Sequence, residues 1–99
     1  MITFVRTAEI TPGKRADVMA FNQEAVKLFK DKFGADVHVS VPIGGNPNRM
    51  AWTVSYSSLA EFEATVAKIN ADADYQKLLA ANVAIILPGS VHDELWRSV

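Results

Sequence analysis

The chain contains no cysteine. That excludes disulfides, thiolate nucleophiles, zinc–cysteine sites and iron–sulfur clusters held by these residues. An excess of one charge is also missing: 10 Lys and Arg stand against 11 Asp and Glu, a formal net charge of −1. So balanced a surface argues against nucleic acid as a partner, because phosphate binding needs a basic face. Long apolar runs are absent. The longest, Val83 to Leu87, falls far short of the roughly 20 residues of a membrane span, so no membrane partner is expected. Met1 to Arg6 shows no basic region leading into an apolar stretch. No signal peptide is expected there, and the cytoplasm is the expected compartment. Repeats and low-complexity tracts do not occur. Gly44-Gly45 precedes no helix and makes no phosphate loop, and no Gly-x-Ser-x-Gly elbow is present.

What is there reads as a folded chain. Hydrophobic residues are 49% and charged residues 21% of 99 positions, which suits one domain over residues 1–99. A chain of this size buries roughly 65% of its unfolded surface, which leaves little to spare. Any large further burial is expected from a partner.

Ile2 to Glu9 is rich in β-branched and aromatic residues and predicts a strand, with Ile2, Phe4, Arg6 and Ala8 on one face. Thr11-Pro12 offers an N-cap and a first-turn proline, so a helix is predicted from Thr11 to Phe33, closed by Gly34. Its apolar arc includes Val18, Ala25, Val26 and Phe29. Asp36 to Val41 predicts a second strand, Pro42 to Asn48 a loop, and Arg49 to Tyr56 a third strand. Ser58-Leu59-Ala60-Glu61 matches a capping box before a helix. A break at Asn70-Ala71-Asp72 leads to a further helix carrying Tyr75, Leu79 and Ile86, stopped by Pro88-Gly89. Val91 to Arg97 is the last strand.

The order β-α-β-β-α-(α)-β predicts an α+β chain with an antiparallel, ferredoxin-like sheet and helices on one face. The expected strand order is fourth, first, third, second. Phe4, Val37, Val39, Val41, Trp52, Val54 and Tyr56 make the heavier face, which is assigned to the helices. The opposite face, with Thr3, Val5, Thr7, His38, Ser40, Thr53, His92, Glu94 and Trp96, is semi-polar. Base-stacking aromatics are missing where an RNA-recognition sheet would need them, since Ala51 and Thr53 stand there. Two bare edges and a bare face would be protected if two such sheets closed into one barrel.

The element order, the split second helix, Asp74-Tyr75-Gln76-Lys77-Leu78 opening its second piece, and Pro88-Gly89 before the final strand carry a resemblance. The chain resembles the dimeric α/β-barrel superfamily, which includes antibiotic-biosynthesis-monooxygenase-like, NIPSNAP-like and stress-responsive barrel domains. Of these it is most similar to the NIPSNAP-like branch. The resemblance implies a homodimer with a pocket between sheet and helices for a small aromatic or polyketide-like ligand. It implies a cofactor-independent monooxygenase or isomerase, or a non-catalytic binding or interaction module. The Asn, Trp and His set of haem-degrading members has no counterpart at matching positions. No cofactor and no metal are expected.

Three residues are the candidate catalytic groups. Asn22 lies on the apolar arc of the first helix, where a polar side chain must be hydrogen-bonded. It orients a ligand, or it bonds locally to backbone or water. Arg6 shares the heavy face and needs an acid or an anionic ligand. It holds an enolate or carboxylate, or it pairs with Asp93 on the neighbouring strand. Tyr56 is core, or a donor in a pocket. Trp52, Phe4 and Phe29 are the candidate ligand-binding residues, as apolar walls for a flat molecule. His38, His92 and Glu94 could meet only across a dimer. Asn82, near a helix end, reads as a cap.

Overall fold

A computed structural model describes residues 1–99. Strand β1 (Ile2–Glu9) leads to helix α1 (Arg15–Phe33), β2 (His38–Ser40), β3 (Arg49–Tyr56), α2 (Leu59–Ala71), α3 (Ala73–Ala81), a 3₁₀ turn at Val83–Ile85, and β4 (His92–Arg97). The sheet is antiparallel with order β2-β3-β1-β4, as predicted. Its register sets Phe4 opposite Val54 and Leu95, and Arg6 opposite Trp52 and Asp93. All six therefore share one face.

That face carries the helices. Two apolar clusters sit beneath them. One centres on Ile2, Ala35, Val54 and Tyr56, and the other on Ile10, Val18, Met50 and Ile85. The heavier face is thus the covered one, with one exception. Val41 lies beyond the end of β2 and is exposed.

Three boundaries differ from the sequence reading by more than one residue, and β4 begins at His92 rather than Val91. Helix α1 begins at Arg15 rather than Thr11. The Lys14 N–H donates to the Thr11 carbonyl and Gly13 takes a φ of +81°, so Thr11 to Lys14 forms a tight turn instead of a first helical turn. Strand β2 keeps only His38–Ser40 of the predicted Asp36 to Val41, since its ladder with β3 has three residue pairs. The last helix ends at Ala81, where Asn82 caps it with a side-chain bond to the Leu78 carbonyl. Ile86 leaves the helix because it bridges to Ile10.

Local signals elsewhere hold. The Ser58 hydroxyl accepts from the Glu61 N–H at 3.1 Å, and the Glu61 carboxylate accepts from the Ser57 N–H at 2.6 Å, one residue earlier than a capping box requires. Asp72 ends α2 and caps α3, accepting from the Tyr75 N–H at 2.8 Å. Lys32 at the end of α1 reaches Asp72 at 2.9 Å and Asp74 at 2.5 Å, which ties α3 to α1.

Candidate functional site

A cavity of about 130 Å³ lies between the sheet and the helices, among residues of both apolar clusters. From the sheet it is lined by Phe4, Arg6, Trp52 and Val54, with Val37 at its edge. Helix α1 contributes Phe21, Ala25 and Phe29. The far wall is Tyr75 and Leu79 of α3, with Ile86 behind them. Arg6 is the one charged residue of this lining.

Trp52 is held in place by Asn22. The indole N–H donates to the Asn22 carbonyl oxygen at 2.8 Å, and the Asn22 amide donates to the Met50 sulfur at 3.2 Å. The indole is only a donor, so it fixes which way the amide points. Asn22 is buried with both its amide oxygen and its amide nitrogen bonded, and it stands behind the cavity wall. It bonds to two side chains of β3 rather than to backbone. Its position makes it a residue that sets the plane of Trp52.

Arg6 forms a two-point ion pair with Asp93, from Nε to one carboxylate oxygen at 2.7 Å and from Nη2 to the other at 2.9 Å. The guanidinium also lies over the Phe4 ring, 5.6 Å from its centroid. Hydrogen bonding to Asp93 raises the Arg6 pKa above its ordinary value, and the same bonds hold the Asp93 carboxyl below the usual range. The pair expected from strand parity is present, and Arg6 faces the cavity as well.

Tyr56 is elsewhere. It is buried beside Ile2, Ala35 and Val54, with its ring edge-on to Phe62 at 5.4 Å between centroids. It pairs with Ile2 while Trp52 pairs with Arg6. Four residues of strand put it about 13 Å along the sheet from Trp52. Burial, with Glu61 adding to it, pushes the Tyr56 hydroxyl up from its ordinary pKa. The structure thus brings Arg6, Trp52, Phe4 and Phe29 together, sets Asn22 one layer behind, and leaves Tyr56 outside.

The tyrosine in the cavity is Tyr75. Its ring meets Phe29 edge-on at 5.2 Å between centroids. Sequence reasoning placed it only on an apolar stripe. The available signal was its spacing of four from Leu79, which sets a phenol among aliphatic neighbours on one helix face. On the bare face, His92 contacts Glu94 at 3.1 Å and the Trp96 indole donates to Glu94 at 2.8 Å, while His38 lies on the opposite edge strand. No three acidic or histidine side chains converge as a metal site would require. No helix is long and apolar enough to cross a membrane.

No family model and no curated protein matches the chain. Solved structures do. A NIPSNAP domain protein from Burkholderia xenovorans superposes with a TM-score of 0.83 at 18% identity, covering 100% of this chain and 95% of the other. A NIPSNAP family protein from Agrobacterium tumefaciens gives 0.84 at 17% identity, over 99% and 92% of the two chains. An antibiotic-biosynthesis-monooxygenase-like protein from Bordetella bronchiseptica gives 0.75 at 19% identity, over 99% and 96%. The chain therefore has the ferredoxin-like α+β fold of NIPSNAP family and antibiotic-biosynthesis-monooxygenase-like proteins.

Proposed function

We propose that the protein is a homodimeric α/β-barrel protein that binds a small, flat, single-ring compound in the cavity between its helices and sheet. The observation that carries this reading is the lining: ten of eleven residues are apolar or aromatic, and the eleventh is Arg6. Such a wall with one converging polar group is the usual make-up of a ligand pocket. Its volume is near that of an engineered cavity of about 150 Å³ that takes up benzene. A single aromatic ring is of that size. Asn22 serves the site by holding Trp52 as a fixed wall.

The homodimer has its own support. A monomer of 10.8 kDa is expected to expose about 5,500 Å². This chain exposes 6427 Å², with Trp96 61% exposed on the bare face of β4. The excess is comparable to the roughly 800 Å² that each partner buries in an ordinary interface.

A reaction suited to the site is cofactor-independent oxygenation or isomerisation through the deprotonated ligand. It asks the protein to bind, exclude water and steady an anion, which Arg6 is placed to do. A second reading, binding without turnover, draws on the two histidines, which both stand outside the cavity. Titration calorimetry with single-ring phenols and quinols tests binding, and oxygen uptake by the same mixtures separates the two readings. Binding that Trp52→Ala leaves untouched would refute the site.

A further inference from the structure

We propose that helix α3 is a door over the cavity, hinged at Asp72 and Asn82 and latched to α1 through Lys32, and that a ligand enters by its outward swing. The inference takes its ligand from the binding reading above, while the hinges and the latch stand on their own observations.

The three helices are not held alike. Helix α1 buries Val18, Asn22 and Ala25, and α2 packs Phe62 against the first apolar cluster. Helix α3 buries no residue and supplies none to either cluster. Its inward side chains, Tyr75 and Leu79, line the cavity instead. A wall over an empty space makes fewer dispersion contacts than one against a packed core. Leu79 is at the same time 37% exposed, so one layer of side chains separates the cavity from solvent here.

Both ends of α3 are joints between anchored parts. Asp72 leaves helical geometry between α2 and α3, at φ −80° and ψ 118°. Asn82 leaves it again at φ −123° and ψ 23°, and Val83 beyond it is 79% exposed. Past these joints the chain is fixed. Phe62 holds one side, and buried Ile85 holds the other, where its carbonyl accepts from the Thr11 N–H at 2.9 Å. Nine residues can therefore swing as one helix, with the rotation confined to two short breaks.

The polar tie between α3 and α1 is a single lysine. Lys32 Nζ bonds Asp72 at 2.9 Å and Asp74 at 2.5 Å. Asp72 uses its other carboxylate oxygen to cap α3 at the Tyr75 N–H. Releasing Lys32 thus opens the latch and leaves the cap in place. Phe29, one turn before Lys32 on the same face of α1, meets Tyr75 edge-on at 5.2 Å, so the latch and this contact lie side by side. A solvent-accessible ion pair is weak and screened by salt, which suits a latch that must open.

Hydrogen exchange of the full chain, read residue by residue by NMR, tests the door without a ligand. Amides of Lys77 to Ala81 are expected to exchange at least about tenfold faster than those of Phe21 to Phe29 on α1. Lys32→Met keeps the aliphatic stem and should speed the α3 amides about fivefold further, with α1 unchanged. Lys27→Met, which removes the Lys27–Asp31 pair elsewhere on α1, should leave α3 as it was. Salt at about 1 M should act on the wild-type chain as Lys32→Met does. Exchange in α3 as slow as in α1, or equal responses to the two lysine variants, would overturn the door. Rates of phenol binding from NMR line shapes test the passage. Lys32→Met should raise association and dissociation together, about fivefold, and keep Kd within about twofold, because the closed form still dominates. Faster α3 exchange with unchanged phenol rates would overturn α3 as the entrance. Absence of any phenol binding would sink the binding reading alone, and the exchange rates would still decide the latch.

Discussion

The two faces of this sheet are built from the same strands, yet they treat polar atoms in opposite ways. On the covered face a polar group fixes a position. Asn22 sets Trp52, Asp93 sets Arg6, and no buried side-chain donor or acceptor is left without a partner. On the bare face polar groups pair with their neighbours two residues along the same strand, as His92, Glu94 and Trp96 do, and stay open to solvent. Around Asn22 the arrangement is expensive to disturb, because an orphaned buried donor costs its full desolvation. The second can exchange partners at little cost, since water replaces what is lost. Within one strand the alternation of side chains thus separates a site held rigid from a surface ready to be covered.

That contrast can be broken, and the largest effect belongs to the covered face. Met50 is 1% exposed and receives the Asn22 amide. Met50→Ala should cost about 2–5 kcal/mol in denaturant unfolding. Ser55→Ala, on the bare face of the same strand, should stay within about 0.5 kcal/mol. Comparable losses would show that the two faces are packed alike.

Trp96→Ser comes next. If Trp96 anchors the second sheet, its loss should weaken pairing by about 2 kcal/mol, roughly 30-fold in dissociation constant, in sedimentation equilibrium. A wild-type mass near 10.8 kDa at micromolar concentration would remove the dimer altogether.

Asn22→Ala should cost about 1–3 kcal/mol by leaving the Trp52 indole N–H unpaired, and should red-shift or broaden its fluorescence. The Trp96→Ser background isolates that signal, because the chain has two tryptophans.

The smallest effect concerns Asp93. Its carboxyl is held below the usual range by hydrogen bonds from Arg6. The folded chain therefore binds that proton less readily than the unfolded one. The stability from the pair is complete above about pH 4 and is lost as pH falls through the lower folded value. The pair is two-fifths exposed, so the contribution is modest. Asp93→Asn should flatten that part of the acid limb in thermal melts between about pH 2 and pH 4. An unchanged limb would mean that the bidentate pair does not persist in solution.

Much of the fold was legible because the sequence speaks locally. Strands β1 and β3 match their predicted spans because unbroken alternation over eight residues has one good register. Gly34 closes α1 in the left-handed conformation that the cap requires. The misreadings occur where local and tertiary preferences compete. Thr11-Pro12 suits a turn as well as a helix start, and Gly13 decides for the turn. Ile86 continues a helical stripe on paper, but its bridge to Ile10 draws it into extended backbone. The candidate site shows the same division. Arg6 with Asp93 followed from parity on adjacent strands. Tyr56 and Tyr75 could not be told apart, since each is a tyrosine on an apolar stripe.

By itself the sequence determined the element order, the face that would be covered, and the restriction of chemistry to a few oxygen and nitrogen groups in apolar surroundings. These rest on periodicity, turn residues and the missing cysteine, all local or compositional. Only the tertiary structure decided that the helices leave a void of about 130 Å³ instead of a closed core, and that α3 rather than β3 supplies its tyrosine. A void is the remainder of packing between two clusters. It depends on how far α3 is drawn in by Lys32 and how far Trp52 is held back by Asn22, and those distances are set between elements that meet only in the folded chain.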